Sequence, residues 1–171
     1  MKNNRGISLI ELIVVIATMG TLAAALVFSF QGWLGNYHAE SQTKEIHADL
    51  MHARIKAMQQ NRLHFIVLDQ HHYQVYEDTD ESGGNNPNTA DVPLWSTPKP
   101  LKYPSLWEGT VVMHTNGIVS TDTGYFGATV RFNLDLDGDG IQDISPDYDC
   151  VVLFSTRINI GTWQGGKCVA T

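Results

Sequence analysis

The sequence predicts an α+β chain, with one long N-terminal helix leading into a head built on an antiparallel β-sheet. Three observations predict it. No proline occurs before Pro87, and a helical pattern runs from Ile7 to about Gln60. Beyond it, apolar and alternating runs of strand length recur between turns rich in Gly, Asn, Asp and Pro. Finally, Glu11 is the only charged side chain from Ile7 to Phe30. At about 1.5 Å per residue that stretch reaches roughly 36 Å, enough for a bilayer's hydrocarbon core.

The chain has 171 residues, which leaves one domain's worth after this segment. Eighteen Asp and Glu against eleven Lys and Arg give a formal net charge of -7. DNA affinity comes largely from Lys and Arg neutralising phosphates, and no basic run occurs, which argues against a general nucleic-acid binder.

Residues 1–6 (MKNNRG) are short and basic through Lys2 and Arg5. The apolar stretch after them is too long for the core of a cleaved secretory signal. A plain transmembrane anchor fits its length, with a cytoplasmic N-terminus by the positive-inside rule. Neither reading accounts for Glu11, since a carboxylate in a membrane segment costs roughly 2.5–3.5 kcal/mol and calls for a partner. Gly32 and Gly35 weaken the helix near the expected membrane exit, where Trp33 and Tyr37 suit the headgroup region. Residues 31–61 continue as an amphipathic helix. Ile46, Leu50, Ala53 and Ala57 form its apolar stripe, opposite a face carrying Glu40, Lys44, Glu45, Asp49, Arg54 and Lys56.

In the head, residues 62–171, strands are expected at 63–68, 73–76, 111–114, 128–134, 151–155 and 157–160. Residues 79–104 read as a long surface loop, and a turn is expected near Gly124.

The sharpest chemical motif runs from Asp135 to Asp143. With Asp135 as position 1, oxygen ligands fall at Asp135, Asp137 and Asp139, glycine at position 6, the Ile141 carbonyl at 7 and Asp143 at 9. That is three-quarters of an EF-hand calcium loop without EF helices. Pro146 stands where the closing glutamate belongs, leaving Asp147 or Asp149 to complete the shell. Bound Ca2+ is the favoured reading, against an acidic turn. Asp78, Asp80, Ser82, Gly83 and Asn86 repeat the pattern with fewer charges, and a flexible polar loop is the favoured reading there. The neighbouring His71 and His72 would point to opposite faces of a strand, and His47 and His52 miss the helical metal spacing. No hydrolase, phosphate-loop or metalloprotease signature occurs, so nothing points to an enzyme. Cys150 and Cys168, in a chain with an export-type segment, read as a disulfide and place the head outside the cytoplasm.

Arg5-Gly6, then a hydrophobic residue, Ser8, Leu9, Ile10 and Glu11 entering an aliphatic helix resemble the leader of type IV pilins and type II secretion pseudopilins. The resemblance implies a pilin-like fold, its long helix half transmembrane and half packed on the head. It also implies cleavage after Gly6 by a prepilin peptidase, methylation of the Ile7 amino group, and attraction of a neighbouring subunit's N-terminus by Glu11. Ile7 departs from the Phe most members carry. The helix-to-sheet junction (Asp49-Leu50, Ala53-Arg54, Ala57, Asn61-Arg62), Tyr76-Glu77-Asp78, Thr115-Asn116-Gly117, Ser155-Thr156-Arg157-Ile158 and Cys168 are similar, in order, to landmarks of GspH/FimT-type minor pilins and minor pseudopilins. The implied protein waits in the inner membrane as a single-pass subunit with a periplasmic head. It then joins other pilin or pseudopilin subunits through the assembly platform, at or near the filament tip. Some members resembling this subfamily bind DNA, which makes a surface receptor for DNA uptake the alternative. Loss of Lys2 and Arg5 would leave nine basic against eighteen acidic residues, net -9, and only Arg157 and Lys167 hint at a patch.

Overall fold

The first turn begins at Ser8, whose carbonyl accepts the Leu12 N–H. Ser8 and Glu11 stand at the spacing of a capping box, and a carboxylate in the first turn complements the positive helix end. In the computed structural model residues 8–170 are described, with the backbone alone for residues 25–31. They form one helix and ten strands in two antiparallel sheets, an α+β architecture. By contacts the chain divides into two units, Met1–Gly35 and Asn36–Thr171.

Helix α1 (Leu9–Gln60) runs unbroken through Gly20, Gly32 and Gly35. Its end is legible in chemistry. Asn61 takes a positive φ of 52°, and the Arg62 N–H reaches back to the Ala57 carbonyl at 3.3 Å, a Schellman closure with asparagine in glycine's usual place.

Within the second unit, Ala39, Thr43, Ile46, Leu50, Ala53 and Ala57 of α1 are buried. The face they make packs with residues of β1 (His64–Leu68), β2 (His72–Glu77) and β5 (Gly109–Met113): Ile66, Leu68, Tyr73, Val75, Val111 and Met113. Burying each large aliphatic side chain contributes about 1.5–3 kcal/mol. Phe65 and Val112, partners across the β1–β5 ladder and of opposite parity to Ile66, are also buried. The first sheet is therefore covered on both faces here, and β1 reads as a continuous apolar run rather than an alternation.

Two short strands, β3 (Val92–Pro93) and β4 (Lys99–Pro100), add to the outer edge of β2, and β6 (Val119–Thr121) adds to β5. The second sheet has the order β10-β9-β8-β7, from β7 (Gly127–Arg131), β8 (Cys150–Phe154), β9 (Ile158–Gln164) and β10 (Lys167–Ala170).

The expected surface loop over 79–104 needs correction. Its second half supplies β3 and β4, and Leu101 and Tyr103 are core residues. Gln42 of α1 organises this segment, its amide oxygen accepting the N–H groups of Lys102 and Tyr103 while its amide nitrogen donates to the Tyr103 carbonyl. Nearby, Lys99 Nζ lies 2.6 Å from Asp49 and 3.0 Å from Glu45, over the Trp95 ring, and the Tyr73 hydroxyl donates to the same Asp49 carboxylate. Burial alone would lower the Lys99 ammonium, but its bonds to Asp49 and Glu45 outweigh that and hold it above the ordinary lysine value.

Cys150 and Cys168 are bonded, their Cα atoms 6.1 Å apart. The bridge does not staple a two-stranded hairpin: it joins β8 to β10 with β9 between them. Gly161 of β9 pairs with both Cys150 and Ala170, and a Cβ there would meet the Val169 carbonyl oxygen at 2.2 Å. Only glycine lets β10 approach this closely. Closing a loop of this length contributes about 3 kcal/mol through the narrowed unfolded ensemble.

Gly161→Ala should therefore destabilise the head by about 1–3 kcal/mol, as overpacking does, read as a lower urea midpoint at unchanged slope. An unchanged midpoint would mean β10 does not need that approach.

Candidate functional site

Of the filament-type positions, Gly6 and Ile7 lie outside the described residues, while Glu11 occupies the first turn of α1. Around it the helix is apolar on every side and exposed: Leu9, Ile10, Leu12, Ile13, Val14, Val15, Ile16, Met19 and Leu22 all face outward, Leu9 at 76% and Val15 at 42%. A helix apolar all round is one that another apolar environment covers. Among the described residues no helix is long and apolar enough to cross a membrane. The expected 7–30 segment also includes Ile7 and the side chains of 25–30, which lie outside that description.

The acidic loop between β7 and β8 closes on itself. Asp135 accepts the N–H groups of Gly138 and Gly140, Asp137 that of Asp139, Asp139 that of Ile141, and Asp143 that of Leu136. These donors hold the Asp135 carboxyl below the usual range, the Gly140 N–H most strongly. Asp135, Asp137 and Asp143 bring carboxylate oxygens within 4.8 Å of one another, a group that does not include Asp139. Neither expected closer joins it. Asp149 is buried and accepts the Trp163 N–H at 2.6 Å, and Asp147 offers its backbone to Glu40 and Thr162. Burial raises the Asp149 carboxyl, against that hydrogen bond and the charge of Arg131. The Ile141 side chain is exposed.

The second loop brings together only part of its pattern. Asn86, expected at position 9, bonds Thr110 instead, and Asp91, which the pattern did not include, arrives beside Asp78 and Asp80. These three also place carboxylate oxygens within 4.8 Å of one another. Asp78 and Asp91 are buried, Asp80 exposed. Burial pushes the Asp78 carboxyl above the usual range, and its hydrogen bond with Asp80 and the charge of Asp91 push the same way. Cross-loop bonds order the segment: Thr79 to the Ala90 carbonyl, Asn88 to Asp80 and Ser82, and Asn85 to the Asp122 carbonyl. A carboxylate at position 14, counting Asp78 as position 1, falls outside any EF-hand template, so pattern matching could not find it.

His71 and His72 are exposed, and His47 bonds the Ile158 carbonyl. Arg157 lies over the Phe154 ring. Compared with known protein families, characterised proteins and solved structures, the chain matches none of them.

One titration follows from burial at the start of β1. His64 is fully buried with Nε2 unpartnered, and desolvation lowers its pKa below the ordinary value of 6.5. As pH falls through 6.5 the unfolded chain takes up a proton that the folded chain refuses, so stability should drop between pH 7 and the lowered value and level off below it. Denaturation midpoints at stepped pH should show this slope, flattened in His64→Gln; equal slopes for both proteins would refute it.

Proposed function

We propose that the chain is a structural filament subunit, a minor pilin or minor pseudopilin of a type IV pilus or type II secretion pseudopilus. The observation that carries this is the division of labour along α1. Its C-terminal part buries one stripe in the head, while its N-terminal part is apolar on all sides with one carboxylate in the first turn. A bilayer covers that surface before assembly, as a single-pass inner-membrane segment, and neighbouring subunit helices cover it afterwards. Inside such a core a lone carboxylate is costly and a paired one is not. A neighbour's new N-terminal amine, freed by cleavage after Gly6 and methylated on Ile7, is the complementary charge. The head is then a periplasmic cap stabilised by Cys150–Cys168, and the subunit belongs at or near the filament tip.

Glu11→Ala should leave insertion and leader cleavage intact but cut incorporation into sheared filaments by tenfold or more. Gly6→Ala should leave the leader attached, read as an unshifted mass. Normal incorporation of the Glu11 variant would remove the charge role, and a normally shortened Gly6 variant would remove the processing claim.

The loop from Asp135 to Asp143 belongs to the same reading as a calcium-binding turn of the head, supported by three converging carboxylates. Asp135→Ala should then reduce the calcium-dependent rise in Tm. An identical rise in the variant would leave an acidic turn held by its own backbone donors.

A further inference from the structure

Around the Asp78 loop, the orphaned atom is the telling one. Asp91 is 8% exposed, its Oδ2 accepts the Asn88 N–H at 2.7 Å, and its Oδ1 is buried with no hydrogen-bond partner. A buried carboxylate oxygen without a donor is a costly arrangement that folded proteins rarely keep unless something else supplies the positive charge. No basic side chain of this edge supplies it: Arg62 is engaged with Glu77 at 2.9 Å and lies 3.9 Å from Glu81. The same carboxylate group converges with those of Asp78 and Asp80, all within 4.8 Å. Calcium–oxygen distances of about 2.3–2.6 Å put ligand oxygens on opposite sides of one ion about 5 Å apart, so this spacing fits a single hard cation.

We propose that Asp78, Asp80 and Asp91 form a calcium-class divalent cation site, distinct from the Asp135 loop and independent of the filament reading. Asp78 and Asp91 give it a buried floor, and Asp80 its solvent-facing side. The Ser82 hydroxyl, a neutral oxygen, stands beside Asp80, the Asn88 amide nitrogen donating to both. The site ties the end of β2 to the start of β3, since Asp78 directly follows Glu77 and Asp91 directly precedes Val92. Bound cation would therefore fasten the edge of the first sheet, closing the twelve-residue excursion between its two carboxylate anchors. The loop at 135 lacks this argument, because Asp137 and Asp143 are exposed, Asp135 is only half-buried, and none of their carboxylate oxygens is a buried orphan.

The test is a calorimetric titration of calcium chloride into the full chain in mild detergent, after chelation, with magnesium chloride as the comparison. Wild type should bind calcium saturably and more tightly than magnesium. Asp91→Asn should weaken that event at least tenfold. Asp80→Asn, an isosteric change at an exposed position, should do the same, and Asp135→Ala should leave it in place. A stoichiometry of two that Asp91→Asn reduces to one supports the proposal equally. No saturable calcium binding by wild type, or binding abolished by Asp135→Ala and untouched by both Asp80→Asn and Asp91→Asn, would overturn it.

Discussion

The head depends on how closely the C-terminal part of α1 can lie on the first sheet. That distance is set by Ala39, Thr43, Ala53 and Ala57, small residues that let Ile46 and Leu50 reach between Ile66, Val75, Val111 and Met113. Apolar contact has no direction of its own, so polar anchors fix the register. Gln42 meets three backbone groups of Lys102 and Tyr103; Asp49 collects Lys99 and Tyr73; Thr43 donates to the Tyr148 carbonyl; His47 meets Ile158. The first two anchor the 99–103 segment and the last two reach the second sheet and its preceding loop. One helix face thus organises both sheets.

The same chain obeys a different rule toward its start. Between Leu9 and Leu22 no face is reserved for a sheet, and large aliphatics point in every direction. Exposed aliphatic surface on this scale is what bilayers and helix bundles cover. Glu11 has a local rationale in the first turn, where it complements the helix end, and that rationale is worth at most about 1 kcal/mol at an exposed site. In an apolar surrounding the carboxylate's cost exceeds that benefit several-fold, which is why the filament reading needs a second charge and a plain anchor leaves Glu11 unexplained.

What the sequence made legible follows the reach of each physical signal. The 3.6-residue stripe gave α1 nearly to the residue, and Asn61 marks its end because an asparagine tolerates the left-handed cap. The strands β1, β2, β5, β7, β8 and β9 fell within a few residues of their apolar runs. Strands β3, β4, β6 and β10 were missed, since a two-residue strand such as Lys99–Pro100 exists only through its partner β2 and carries no period of its own. Gly161 was readable in principle, an isolated glycine in a strand signalling close backbone approach. Its partner Val169 was not.

The two acidic loops show why local spacing and final geometry can disagree about a site. Counting charges favours Asp135 to Asp143, four carboxylates in nine residues, over a loop with three. Folding adds burial to the comparison. Short spacing lets the Asp135 loop satisfy its own carboxylates with neighbouring N–H groups, and exposure lets water do the rest. In the other loop the third carboxylate comes from Asp91, across a turn that only the pairing of β2 with β3 closes, and it arrives buried. Desolvation, not charge density, makes a carboxylate cluster demand a cation, because water neutralises an exposed cluster at little cost and cannot reach a buried one. The burial that creates the demand is a property of sheet pairing, which no nine-residue window contains.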